Sequence, residues 1–224
     1  MNQPLPASHP GSRGRALPSK LAAACLAGTV ALGLGGCGSS PSPAFDLSAP
    51  RSSRLGARAA ITVIPEPAAL QPFETERVVA RDTAGTLSIL PDGQWADRLP
   101  RLVQTKLIQA FENSSRSRSV SRPGDGITAD NQLTSEIRTF LFDARTGEAI
   151  VEISAKLVDL KSGRVVNARI FSARTPVASA KVTDVAPALD RSASSVFLEI
   201  IRWVGSSPSR AVLPGEPVLR TGSL

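Results

Sequence analysis

The chain has 224 residues, with 26 Lys and Arg, 19 Asp and Glu and a formal net charge of +7. Its one His, His9, and one of its two cysteines, Cys25, precede Cys37, and there is no Tyr. From Cys37 onward this excludes Cys–His nucleophile pairs, a His-assisted serine triad, zinc sites built on His or Cys and an intrachain disulfide.

The first 36 residues contain no acid and carry Arg13, Arg15 and Lys20, followed by an apolar run from Leu21 to Leu34. A basic n-region, a short h-region and small residues at the cut describe a secretory signal. The run is shorter than the roughly 17–25 residues a transmembrane helix needs. Its end, Leu34-Gly35-Gly36-Cys37, resembles the lipobox of bacterial lipoproteins, whose Cys is acylated and becomes the new N-terminus. The expected organisation is a lipoprotein signal peptide over 1–36, a lipidated Cys37 and tether over 37–43, a domain over 44–205 and a disordered tail over 206–224. Three basic residues precede Cys37, leaving 23 against 19 acidic side chains, a balance of +4. Nucleic acid is a poor partner for so modest an excess on an exported chain.

Phe45 to Ser48 alternates and predicts a first short strand, and Ala60 to Ile64 a second, stopped by Pro65 and Pro67. Arg77–Arg81 and Thr86–Leu90 predict a hairpin around Asp82-Thr83-Ala84-Gly85, after which Pro91-Asp92-Gly93 is expected to break the chain. Trp95 to Asn113 follows a helical period, with Asp97 as the expected N-cap and Pro100 in the first turn. A basic, Ser-rich loop over 114–126 follows, with a strand expected at Ser119–Ser121. Leu133, Ile137 and Leu141 suit one inward face, and Val151, Ile153, Ala155 and Leu157 alternate with polar residues. Arg164–Arg174 alternates less decisively. The connections from Asp143 to Gly147 and from Asp159 to Gly163 read as short hairpin loops with Gly in the left-handed position. A second helix is expected from an Asp184 cap, with Leu189, Ala193, Val196, Phe197, Ile200 and Val204 on one side. The class is α+β: an antiparallel sheet with a three-strand meander and two amphipathic helices packed on one face.

The conspicuous acids all have structural roles, Asp143 and Asp159 before turns and Asp97 and Asp184 at helix starts. Neither a Ser-x-x-Lys at a helix start nor Gly-x-Ser-x-Gly occurs. No catalytic residue, metal site or cofactor is expected. Arg116, Arg118 and Arg122 are candidates for contact with a partner or with phosphate headgroups, and Trp203 for an assembly contact.

The order of lipobox, tether, Phe45-Asp-Leu-Ser-Ala-Pro50 start, Ile61-Thr-Val-Ile64 before Pro65, Arg77-Val-Val-Ala-Arg81 hairpin and Trp95-Ala-Asp-Arg-Leu99-Pro resembles the ABC-type transport auxiliary lipoprotein family. Members usually have Tyr where this chain has Phe45. The resemblance implies a lipoprotein on the periplasmic face of the envelope that serves an intermembrane lipid-transport system without catalysis. Its partners would be the bilayer, through acyl chains at Cys37, and a mammalian-cell-entry-type protein of an ABC transporter; a homo-oligomer is a further candidate. Gly38 after the lipidated Cys, where Asp would favour inner-membrane retention, makes the outer membrane the expected residence. The alternatives are a lipoprotein of lipopolysaccharide export or general envelope assembly and, less so, a Ser/Lys or carboxylate hydrolase. If the tail has no packed structure, truncation after Gly205 leaves the melting temperature nearly unchanged, which thermal unfolding monitored by circular dichroism checks.

Overall fold

The computed structural model describes residues 42–52, 60–114 and 120–207. These form β1 (Ala44–Phe45), β2 (Thr62–Val63), β3 (Ala68–Ala69), β4 (Arg77–Arg81), β5 (Leu87–Trp95), α1 (Leu99–Ser114), β6 (Val120–Ser121), β7 (Asn131–Asp143), β8 (Glu148–Asp159), β9 (Val165–Pro176) and α2 (Val182–Ser206). The class is α+β, with one large open sheet and two helices. The sheet is mixed and nine-stranded, which corrects the expectation of an antiparallel one.

Strand β7 holds the sheet together because both of its edges are used. One edge pairs antiparallel with β8 from Asn131↔Asp159 to Asp143↔Glu148. The other is tiled in series by β2 (Thr62↔Asn131), β3 (Ala68↔Glu136) and β4 (Val79↔Leu141), all parallel. Pro65, Pro67 and Pro72 lie between these three pieces. Proline donates no ladder bond, so what would be one long strand along β7 is divided into short ones. The two-residue strands have no local periodicity, which hid the parallel pairs from sequence reading.

Side-chain alternation decides which face of β7 and β8 is interior. Ala149, Val151, Ile153, Ala155 and Leu157 of β8 are buried, opposite Phe142, Phe140, Ile137, Ser135 and Leu133 of β7. The register shifts between Ile137 and Thr139, where Arg138 is the extra residue. That bulge changes the parity and keeps Phe140 and Phe142 on the buried face. β9 pairs antiparallel with β8 and contributes Phe171 to the core. The connecting turns close on Gly147 (φ 68°) and Gly163 (φ 66°), whose N–H groups each donate 2.8 Å bonds to the carbonyls of Asp143 and Asp159.

β5 does not stop at Pro91. It runs on to Trp95, with Asp92 at φ 63°, because its pairing with β4 shifts between Arg77 and Val79 and leaves residues 91–93 outside the ladder. A proline on an unpaired stretch of an edge strand removes no ladder bond. Trp95 therefore ends a strand instead of opening a helix; it is fully buried and meets Phe140 edge-on at 5.6 Å.

The helix starts also differ from expectation. The Leu99 N–H is satisfied by the Thr75 carbonyl at 2.9 Å, while Asp97 accepts from the adjacent Arg98 N–H and pairs with Arg101. Pro100 does fall in the first turn. In α2 the N-cap is Lys181, with no side-chain cap bond; Asp184 lies inside the first turn and accepts from Ser179 Oγ at 2.5 Å. A carboxylate there still complements the helix dipole. Val185, Leu189, Ala193, Val196, Phe197 and Ile200 of α2 join Leu99, Val103, Leu107 and Ala110 of α1 in one core with the strands. Ser192, fully buried in α2, donates to the Ala149 carbonyl at 3.1 Å and lies 2.8 Å from Thr175 Oγ1, fastening the helix to β8 and β9.

Gly93 is where β5, β1 and α2 come closest. A Cβ there would stand 2.7 Å from Phe45 Cε2 and 3.0 Å from both Val182 methyls. Gly93→Ala is expected to destabilise the domain by about 1–3 kcal/mol, the usual cost of overpacking, and Gly93→Val by more. Urea unfolding with an unchanged m-value is the measurement, and a neutral Ala variant would show that the contact yields.

Candidate functional site

The segment after β1 is laid across both helices by side-chain bonds. β1 pairs parallel with the end of β5, Phe45 opposite Trp95, and the Ala96 N–H donates to the Phe45 carbonyl at 2.8 Å. Lys106 Nζ of α1 donates to Asp46 Oδ2 at 2.5 Å. The N–H and Oγ of Ser48 donate to the two carboxylate oxygens of Asp190 in α2 at 2.6 and 2.8 Å. Asn113 donates to the Ala49 carbonyl at 3.0 Å, and the Ser52 N–H donates to Ser114 Oγ at 2.7 Å. Leu47, between these ties, is buried. Sequence reading saw Phe45–Ser48 as a strand and missed the strap, since Ser48 and Asp190 are 142 positions apart; the alternation was the sole local signal.

Cys37 lies outside the described residues, as do Arg116 and Arg118. Arg122 is described, and its guanidinium donates to Gln104 Oε1 and Thr105 Oγ1 of α1 at 3.0 and 3.1 Å. Gln104 is buried and donates in turn to the Ile64 carbonyl at 2.9 Å. Arg122 thus closes a network joining the loop, α1 and the end of β2. Trp203 is buried at 8% exposure and packs edge-on against Phe171 at 5.5 Å, with Arg169 stacked on the other ring. It is a core residue. The indole fills the end of the space between α2 and β9.

Of the acids, Asp143 is 2% exposed and lies between two guanidinium groups, Arg145 at 2.7 Å and Arg81 at 3.3 Å. The Arg145 guanidinium, by hydrogen bond and charge, outweighs burial and holds the Asp143 carboxyl down at about 2, against an ordinary 3.8, with Arg81 adding to the effect. Asp143 also accepts the Arg145 N–H at 3.0 Å, so the carboxylate organises the β7–β8 turn. Asp159 accepts from the Ser162 N–H and Oγ in the matching position of the β8–β9 turn. Among the described residues no three His, Cys, Asp or Glu side chains are placed to hold a metal ion, and no helix is long and apolar enough to cross a membrane. The described surface instead presents apolar side chains on strands. Ile170, Val166, Leu87 and Ile89 are exposed, and a shallow depression lined by Ser154, Lys156, Ala168 and Ile170 runs between β8 and β9.

Residues 45–200 match the sequence model of a family described as the ABC-type transport auxiliary lipoprotein component. A protein of Bradyrhizobium diazoefficiens, bll6063, is 34% identical over 166 residues; the match covers 71% of this chain and 44% of that protein, so the chain spans under half the relative's length. Among solved structures, protein XCC0632 from Xanthomonas campestris is similar in fold, with a TM-score of 0.63 and 24% identity over 72% of this chain and 91% of the other. The crystal structure of an uncharacterized protein gives 0.56 and 13% identity over 72% and 99%.

Because the folded carboxyl of Asp143 titrates below its ordinary value, its contribution to stability is complete above the unfolded pKa and is lost as pH falls from about 3.8 toward about 2. Asp143→Asn is expected to lower the melting temperature at neutral pH and to flatten the acid limb across that window. Melting curves of both proteins from pH 6 down to 2 check this; parallel limbs would mean that other carboxylates carry the acid dependence.

Proposed function

Since the chain belongs to the ABC-type transport auxiliary lipoprotein component family, we propose that it is an adaptor, held by acyl chains on Cys37 to the periplasmic face of the bacterial envelope. The outer membrane is the favoured residence, and the system served is intermembrane lipid transport through a mammalian-cell-entry-type protein. The single observation that carries this reading is the family match, which spans β1 to the last turns of α2 and so covers the strap as well as the sheet.

The strap supports the anchoring part. Six residues separate Cys37 from Ala44, and an extended chain of that length reaches roughly 25 Å. A lipidated Cys37 would keep the folded domain within that distance of the bilayer, and the bonds of Asp46 and Ser48 to the two helices would pass the restraint directly into the core. Attachment by more than one acyl chain is stable where one is marginal. Confinement raises the effective concentration toward a membrane-bound partner. The adaptor acts by contact and makes or breaks no bonds in its cargo.

Two measurements test the reading. Cys37→Ala is expected to abolish acylation and move the protein from the membrane pellet to the soluble fraction; retention in the pellet would refute the anchor. Affinity capture with the transporter's mammalian-cell-entry-type subunit as bait is expected to retain the native chain, and deletion is expected to give an envelope-permeability defect. A permeability defect reproduced by replacing exposed Lys or carboxylate residues in a chain that still folds and binds the bait would favour a hydrolase instead.

A further inference from the structure

Single exposed apolar side chains are ordinary, but a cluster of them marks a surface that meets something. Among the described residues eight large apolar side chains are exposed, and four of them, Leu160, Val165, Val166 and Ile170, fall between positions 160 and 170. Register fixes the face they occupy. Phe171 lies opposite Ile153 and packs on Trp203 of α2, so alternation turns Ile170, opposite Ser154, away from the helices. Ala168 follows on that face opposite Lys156. Val165 lies opposite Val158, with Val166 the extra residue at the register shift. Leu160 stands in the adjoining turn, where its N–H donates to the Asp130 carbonyl at 2.9 Å.

Charge divides the same face in two. At its other end the cations are neutralised, Arg174 by Glu148, Arg138 by Glu152 and Arg81 by Asp143. Within the apolar cluster stands Lys156, and Lys161 and Arg164 border it in the turn. None of these three side chains has an ion pair among the described residues. The acids nearest in register are Glu136, opposite Ser154, and Asp159, which accepts from the Ser162 N–H and Oγ. Aliphatic side chains bordered by cations on long stems suit the boundary between lipid headgroups and acyl chains, where the stems lie in apolar surroundings and the charges reach phosphate. The tether puts such a surface within reach. β1 belongs to the same sheet, five strands from β9, or roughly 24 Å at the usual strand spacing. The chain upstream of Ala44 extends to roughly 25 Å, so Cys37 can enter the leaflet on which β8 and β9 would lie.

We propose that this patch rests on the bilayer that holds Cys37, with Leu160, Val165, Val166 and Ile170 at the headgroup–acyl boundary and Lys156, Lys161 and Arg164 on lipid phosphates. The inference rests on the anchoring reading and adds an orientation to it: the β8–β9 end of the sheet lies against the membrane and the two helices face away from it.

Fluorescence of the anchored full chain tests it. Ile170→Cys is labelled with a polarity-sensitive fluorophore and reconstituted into vesicles of phosphatidylethanolamine and phosphatidylglycerol, with Arg191→Cys, exposed on α2, as the comparison. The label at position 170 is expected to shift its emission to the blue and to be quenched by spin-labelled phospholipid, and the label at position 191 to do neither. Equal quenching at the two positions, or stronger quenching at 191, would overturn the orientation. A blue shift at 170 without quenching by the spin-labelled lipid would overturn it in favour of a protein cover. Lys161→Glu combined with Arg164→Glu, both on the exposed turn, is expected to reduce the quenching at 170 with no fall in melting temperature; quenching that survives the change would overturn the phosphate contacts. Flotation of the vesicles separates this inference from the one beneath it. A chain that floats without quenching at 170 overturns the patch and leaves the anchor standing, whereas a chain that does not float refutes the anchor and the patch with it.

Discussion

Everything in this fold is registered against β7. A strand bonded along both edges has no freedom to slide, because each one-residue slip would turn its buried row to the outside on both sides at once. The bulge at Arg138 is part of that constraint. Without the extra residue, Leu133, Ser135 and Ile137 would be followed inward by Thr139 and Leu141; with it, Phe140 and Phe142 face the helices and Leu141 lies beside Val79 of β4. Phe140 in turn meets Trp95, which sets the end of β5, and β5 sets the seat of β1. The position of the domain's first strand is thus derived, through three contacts, from one irregularity in the middle of the longest strand.

The polar interior follows the same economy. Ser192 joins α2 to β8 and β9, Gln104 joins α1 to the end of β2, and Asp143 ties the β7–β8 turn to β4 through Arg81. Each is buried and each is bonded, as burial of a polar group requires. Ser135 Oγ is the buried side-chain atom without a partner among the described residues. These ties sit at the boundaries between elements, where apolar packing alone leaves orientation loosely specified.

Much of this was legible from the chain alone, and the reasons are local. β4 emerged with the bounds expected for it, Arg77–Arg81, because the β-branched pair Val78–Val79 precedes a turn with Gly85 at φ 93°. β8 was readable from strict alternation, and both helices from their apolar period, since those signals lie within one element. What escaped depends on residues far apart. β3 has no local signal, and β2 and β6, which lie inside the strands expected at Ala60–Ile64 and Ser119–Ser121, owe their parallel pairing to partners distant in the chain. Asp184 carries the sequence signal of a cap, three residues before Pro187, but the helix begins earlier, at Val182, so the carboxylate lies within the first turn. Trp95 was placed in a helix because it falls on the helical period of α1, yet its ring belongs to the sheet. The N-terminal motif pointed to the right family, while the role of its Asp46 and Ser48 required seeing Lys106 and Asp190 brought across.

The strap has a mechanical consequence. Tension applied to the chain upstream of Ala44 acts along β1, where the Gln94–Pro43 and Ala96–Phe45 bonds lie side by side across the strand. Pulled along its axis, a strand loads such bonds together in shear and does not unzip them one at a time. Force that exceeds them passes next to Asp46–Lys106 and Ser48–Asp190, and so is divided between two helices before it reaches β7.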